Sequence, residues 1–287
     1  MPPGISIQAE AVPGRLALIA GNGRFPFLVL DAARDQGIDP LVVAIKEEAS
    51  PELAQTASEV RWLSLGEVSK LLELLNAERV TRVLLAGQVK HAQLFSSIQP
   101  DAMLRRALGD LERKNTDSLL SAFVRMLEQH GVEVVDSTHF LKPLLAGAGT
   151  LTRRSPDPAE QDDIAYGREI AKHVASLDIG QTIVVSDRAC LAVEAMEGTD
   201  AAIERAAKLS NGRRLVVVKV SKPHQDMRFD VPVVGLRTIQ VMSRSNARAL
   251  AVDAGKTLLF ERARCFEEAD EAEIAVVGVA DSPAPAG

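Results

Sequence analysis

Short β-rich apolar runs recur along the chain, and most are followed by a stretch with helical spacing. RLALIA starts at Arg15, LVVAI at Leu41, EVRWL at Glu59, VTRVLLAG at Val80 and VEVVD at Val132. Between them lie an amphipathic stretch ending in RDQG, with Gly37 as its cap, and EVSKLLELLNAE. SLLSAFVRMLEQHG follows, with Leu119, Leu120, Phe123, Met126 and Leu127 on one face and Gly131 at its end. Strand and helix in regular turn build parallel βαβ units with helices on both sheet faces. Ligands of such sheets bind beyond the carboxyl ends of the strands. The loops Gly21–Pro26 and Gly87–His91 fall at such ends, which makes them candidate binding loops before any motif is considered.

After Val135 the character changes. HFLKPLLAGAGTLTRRSPDPAEQDD is rich in loop formers, and a second α/β segment follows with the runs TIVVSD, CLAVEAME, LVVVKV, ALAVDAG and TLLFERA. The chain thus reads as two domains with a ligand cleft between them. Residues 1–13 form a mobile tail and 14–140 a Rossmann-like domain with a parallel sheet. Residues 141–158 are a linker, 159–279 a C-terminal α/β catalytic domain, and 280–287 a second mobile tail. The length of 287 residues suits two cores.

Composition narrows the function. A net charge of −6 and 3% aromatic residues exclude the basic face and stacking platform of a nucleic-acid binder. Cys190 and Cys265 sit in apolar sequence without CxxC or Cys/His spacing, as reduced core thiols do. The opening MPPGISIQAEAV lacks a cationic, apolar leader, and no run approaches the roughly 20 apolar residues of a spanning helix. A cytoplasmic location is expected.

Five motifs carry polar chemistry. GNGRFP, with Gly21, Asn22 and Gly23, has the Gly-x-Gly of a phosphate loop, or is a tight turn; Pro26 replaces the third glycine and Lys46 the acid of a dinucleotide site. LAGQVKH brings Gly87, Gln88, Lys90 and His91 to a strand exit, as ligand donors or as solvated surface. In KNTDS, Thr116 or Asp117 is an N-cap, and Asp117 could also face a site. VEAMEGTDAAIERA puts Glu194 and Glu197 at a strand end and Thr199 and Asp200 at a helix start, where an anion is favoured and carboxylates can hold a cation. KVSKPHQDMRFDVP crowds Lys219, Lys222, His224, Asp226, Arg228 and Asp230 into twelve positions. If this segment is extended, Lys222, His224, Asp226, Arg228 and Asp230 share one face. Either they form an ion-pair ladder, or the cations hold phosphate while a carboxylate stays available for metal or water. Pro223 and Pro232 argue for an exposed strand end, and a role for Gln225 requires a bend near Pro223.

In combination, IAGNGRFP, LLAGQV, SLDIGQTIVVSD, LAVEAMEGTD, VKVSKPHQDMRFDVPVVGLRTI and ALAVDAG resemble the UDP-2,3-diacylglucosamine pyrophosphatases of the LpxI type, enzymes of lipid A assembly, over roughly Arg15 to Gly278. The chain departs from that pattern at Asn115-Thr116-Asp117, where Gly-Asp-Asp is expected. It departs again at Asp187-Arg188, where Asp-Gly is usual, and at Gln88 and His91, where Lys and Arg are commoner. The resemblance implies hydrolysis of a lipid-linked nucleotide sugar to UMP and 2,3-diacylglucosamine 1-phosphate. It also implies Mg2+, a homodimer, and water attacking the sugar-side phosphorus. Asp226 matches the family's essential aspartate, as catalytic residue and metal ligand. Glu197 is a second metal candidate, and Lys219, Lys222, Gln225, Arg228, Thr199, Asp200 and the two glycine loops are expected to bind substrate. Phe25, Phe27 and FLKPLLAGAGTL are candidates for an acyl groove, or for core. No basic amphipathic helix is present, so contact with the inner membrane is expected to be peripheral and weak.

Overall fold

The computed structural model describes residues 14–89, 100–109 and 116–280. The chain divides into two compact units: one runs to Leu141 and takes in Met227–Phe229, and the other holds Lys142–Asp226 and the chain from Asp230.

In the first unit, strands β1 (Arg15–Ala20), β2 (Leu41–Ile45), β3 (Val60–Leu63), β4 (Val80–Ala86) and β5 (Glu133–Val135) form one sheet in the order β3-β2-β1-β4-β5. Every pairing in it is parallel, so the regular strand and helix alternation gives the Rossmann-like order. Alternate side chains serve opposite faces. Ala17, Ile19, Leu41, Val43, Val83 and Leu85 pack with Leu71 and Leu75 of α3 (Val68–Ala77) and with Val124 and Leu127 of α5 (Thr116–Gln129). On the other side α1 (Phe25–Asp35) meets β1 and β4 and buries Phe27, Val29, Leu30 and Ala33. Two further helices, α2 (Leu53–Thr56) and α4 (Ala102–Gly109), complete the described part. Helix α1 ends as its sequence requires, with Gly37 at φ 77°.

In the second unit the sheet is mixed, in the order β6-β13-β11-β9-β7-β8. Its members are β6 (Gly149–Thr150), β7 (Thr182–Ser186), β8 (Ala189–Val193), β9 (Leu215–Lys219), β11 (Ala247–Asp253) and β13 (Ala275–Val279). Strands β9, β11 and β13 run parallel, while β7 is antiparallel to both β8 and β9. A small pair, β10 (Val233–Val234) with β12 (Leu258–Leu259), lies outside it.

Helix α6 (Pro158–Ser176) starts at a capping box in which Asp157 and Glu160 satisfy each other's backbone amides. It covers one sheet face, where Ile164, Ala171 and Ala175 meet Ile183, Val185, Val216, Val218 and Ala249. A Cβ at Gly167 would lie 2.8 Å from Val218 Cγ2, so glycine is what lets this helix approach. The other face is covered by α7 (Thr199–Leu209), α8 (Leu236–Arg244) and α9 (Arg262–Glu271), through Ile203, Ala206, Ile239, Met242, Cys265 and Ala269.

The β7–β8 hairpin turns on two residues, Asp187 and Arg188, both at φ 53°. A type I′ turn needs positive φ at both positions, which is why Asp-Gly is favoured there. Arg188 is held in that conformation by Asp163, whose carboxylate accepts from Arg188 N at 2.5 Å and Asp187 N at 3.1 Å. Arg188→Gly should relieve the left-handed strain and raise stability by about 0.5–1 kcal/mol. A denaturant melt will show the gain, and an unchanged midpoint would mean that Arg188 carries no strain in that turn.

Candidate functional site

Polar side chains in each unit gather at the carboxyl edge of the parallel strands. In the first unit, β1 leads into Gly21-Asn22-Gly23 and β4 into Gly87-Gln88. Gly21 N donates to Ala86 O at 2.8 Å, and Asn22 and Gln88 exchange backbone hydrogen bonds of 2.8 and 2.9 Å. The two loops are therefore stitched to each other. A Cβ on Gly21 would sit 2.7 Å from Gln88 O, and one on Gly87, at φ 97°, 2.7 Å from Asn22 O. These two glycines permit the loops to approach; Gly23, at φ 95°, has no atom within 4 Å of its Cβ position. Asn22 Nδ2 donates to Glu48 Oε2 at 3.4 Å, and Glu48 is buried. The sequence reading passed over Glu48, since nothing local distinguishes it from its neighbour Glu47. Gln88 is exposed, and Lys90, His91 and Asn115 lie outside the described residues. Asp117 falls in the first turn of α5. Phe27, Phe140 and Leu141 are buried in the core, so they do not line an open acyl groove.

In the second unit, a buried chain of polar groups joins α7 to the sheet. Lys219 Nζ donates to Thr199 Oγ1 at 2.7 Å, and the Thr199 hydroxyl donates to Glu194 Oε1 at 2.7 Å. Lys219 and Glu194 are both about nine-tenths buried, at 8% exposure each. Lys219 and Thr199 are thus brought together, with Glu194 as the acceptor of the Thr199 hydroxyl. Asp200 lies one position on and is held by Thr238 Oγ1 at 2.8 Å and Arg237 Nε at 3.0 Å. Glu197 is exposed and turned to Arg205 at 2.6 Å. Its backbone and the Arg205 guanidinium hold its carboxyl below the usual glutamate range. That carboxylate is held in a surface ion pair, which a metal ion would have to displace.

The segment after β9 is not extended. Residues 223–224 form a turn, and 227–229 form another, closed by Asp230 N donating to Asp226 O at 2.9 Å. The expected shared strand face of Lys222, His224, Asp226, Arg228 and Asp230 is therefore absent. The physical reason is the two turns, which break the period of two on which that expectation rested. The bend near Pro223 that Gln225 needed is present. Its amide oxygen accepts from Lys222 N at 2.6 Å, and its amide nitrogen donates to Asp230 O. Gln225 thereby ties the two ends of the loop that carries Asp226, which is half-buried. Lys222 Nζ lies 2.6 Å from Asp178 and 3.0 Å from Asp230. Residues 227–229 belong to the first unit, where Met227 O accepts from Ser137 N at 2.9 Å, Arg228 pairs with Glu128 at 2.7 Å, and Phe229 packs on the core.

A further acid escaped the motif reading. Asp253, the last residue of β11, is 1% exposed. It accepts from Arg168 Nη1 and Lys172 Nζ at 2.6 Å each, and from Ser221 N and Oγ at 2.7 Å each. Burial works to raise its carboxyl, but the bonds from Lys172, Ser221 and Arg168 outweigh burial and hold it below the ordinary 3.8. A depressed folded value adds stability that is complete above about pH 4 and is lost as pH falls through the lowered value. Thermal melts from about pH 6 to about pH 3 should therefore fall more steeply for the wild type than for Asp253→Asn. Equal slopes would remove Asp253 from acid sensitivity.

Among the described residues, no group of three or more His, Cys, Asp or Glu side chains is placed to hold a metal ion. Magnesium usually takes one or two carboxylates together with phosphate oxygens and water. A half-buried Asp226 suits that pattern, and Glu197 would have to leave Arg205 to join it. No helix among the described residues is long and apolar enough to cross a membrane.

These features define a two-unit α/β protein whose polar chemistry lies at the carboxyl edges of parallel strands. A model of the LpxI N-terminal domain matches residues 15–144, and one of the LpxI C-terminal domain matches residues 147–277. The UDP-2,3-diacylglucosamine pyrophosphatase LpxI of Caulobacter vibrioides is 32% identical over 275 residues, which are 92% of this chain and 97% of that protein. The chain belongs to the LpxI family. Among solved structures, CobK precorrin-6A reductase covers 95% of this chain and 90% of its own, at 13% identity and a TM-score of 0.32. Bordetella bronchiseptica WbmG, solved with NAD and UDP, covers 42% of this chain and 36% of its own, at 14% identity and a TM-score of 0.28. Likenesses at that level bear on neither fold nor function.

Proposed function

We propose that this protein hydrolyses the pyrophosphate bond of UDP-2,3-diacylglucosamine, releasing UMP and 2,3-diacylglucosamine 1-phosphate for lipid A assembly. The observation that carries the reading is the match to both halves of the LpxI family, with a pyrophosphatase relative aligned along nearly the whole chain.

A pyrophosphate diester resists hydrolysis because its negative charge repels a nucleophile, so catalysis needs neutralisation and a positioned water. Asp226 is assigned to orient that water or accept its proton. When bound, magnesium would neutralise phosphate charge, with Asp226 as its protein ligand. Lys222 is assigned to phosphate, although Asp178 and Asp230 already balance its charge in this structure. Arg228 is the second cation of the segment, and its guanidinium can bridge phosphate oxygens. Lys219 and Thr199 are assigned to substrate through the α7 N-terminus, as are Asp200 and the loops Gly21–Gly23 and Gly87–Gln88. The same reading carries a homodimer and a peripheral contact with the inner membrane.

The test is incubation with UDP-2,3-diacylglucosamine and magnesium in oxygen-18 water. UMP is expected, with the label on the sugar 1-phosphate if water attacks the sugar-side phosphorus. Binding of fresh substrate without any UMP would overturn the hydrolase reading.

A further inference from the structure

The loop that carries Asp226 is held at its base by groups that the motif reading did not assign. Asp253 stands opposite the exit of β9, because Val252 pairs with Lys219 in the sheet register. One carboxylate oxygen, Oδ2, receives both the amide and the hydroxyl of Ser221 at 2.7 Å, and also Lys172 Nζ at 2.6 Å. Lys172 Nζ in addition lies 3.4 Å from Ser221 O, so both the N–H and the C=O of Ser221 are engaged. Arg168 takes the other oxygen, Oδ1, at 2.6 Å. Arg168 and Lys172 are four residues apart on α6 and present the same helix face. The carboxylate is thus fixed from the helix side and passes that order to the first residue of the loop. Beyond Ser221 come the Gln225 tie between Lys222 and Asp230 and the closing bond from Asp230 N to Asp226 O.

We infer that Asp253 is a positioning residue: through Ser221 it fixes the 221–230 loop and so sets the place of Asp226. At 1% exposure it has no surface to offer a substrate, so it acts through the loop. A charge-assisted acceptor bonded to four donors is suited to this task, because such bonds are stronger and more directional than neutral ones. The kinetic half of the inference rests on the hydrolase reading above. The structural half does not.

The test uses the full-length protein with Asp253→Asn and Ser221→Ala. Hydrogen exchange is expected to quicken by about tenfold for amides of residues 221–230 in both variants, while β9 and β11 keep their protection. Turnover is expected to fall by about 100-fold in Asp253→Asn, with KM rising by less because Lys222 and Arg228 ride on the same loop, since displaced catalytic groups cost rate more than binding. The pH profile of kcat should keep its shape, because Asp253 exchanges no proton in the reaction. Unchanged exchange at 221–230 would overturn the inference, and so would loss of a pH limb in Asp253→Asn, which would make the acid a direct participant. If Asp253→Asn loosens the whole sheet, Ser221→Ala decides: it leaves the carboxylate with its two cations, and wild-type exchange and turnover in it would overturn the anchoring. A wild type that releases no UMP counts against the hydrolase reading alone, and the exchange result still decides the anchoring.

Discussion

Asp226→Ala is expected to fold, to bind substrate, and to lose turnover by about 1,000-fold or more. The size follows from its assigned role: removal of a positioned acid or base commonly costs 10² to 10⁴ in rate, and loss of a metal ligand adds to that. Folding should survive because the bond that closes the local turn uses the Asp226 carbonyl, which alanine retains. The side chain is half-buried and lies outside the apolar clusters of both sheets. UMP release measured against substrate concentration, alongside a thermal melt, checks all three expectations. Near wild-type kcat in the variant would take Asp226 out of the mechanism. A collapsed melting transition would make its role structural.

The second large effect is on stability. In Gly87→Ala the new methyl would stand 2.7 Å from both Asn22 O and Gly21 C, at a backbone φ of 97°. Strain at such a φ costs of order 1–3 kcal/mol, and forcing rigid backbone apart costs a similar amount. A loss of roughly 3 kcal/mol or more is expected. Gly23→Ala is the matched control: φ is 95°, yet nothing lies within 4 Å of the added methyl. It should cost about 1 kcal/mol, from strain alone. The difference between the two denaturation midpoints measures how tightly the loops after β1 and β4 are joined. Equal losses would show that backbone conformation, and not loop approach, is what glycine supplies at position 87.

These loops also show the reach of sequence reading. A glycine after a strand is visible in the sequence, and it marks close approach or positive φ. What approaches is not visible. The Gly-x-Gly of Gly21–Gly23 reads equally well as a phosphate loop or as a turn, and the bonds between Asn22 and Gln88 span 66 residues that no local window covers. Glu197 shows the same limit. As a carboxylate at a strand-turn-helix junction it reads as a metal candidate, and its pairing with Arg205, eight positions on in the second turn of α7, is visible only in the fold.

Apart from helices α2, α4 and α9 and strand β13, the sequence by itself determined the main strands and helices of both units, the parallel pairing of the first sheet and the strand edge at which polar residues collect. Each of these follows from apolar periodicity and chain connectivity, which are local or nearly so. Only the tertiary structure decided the shape of the 221–230 loop, whose sequence suits either an extended strand end or a bend near Pro223, and the partners of its charged groups. Asp253 meets Arg168 across 85 positions and Ser221 across 32. Such bonds depend on which strand ends the folded sheet sets side by side, and no periodicity in the chain encodes that adjacency.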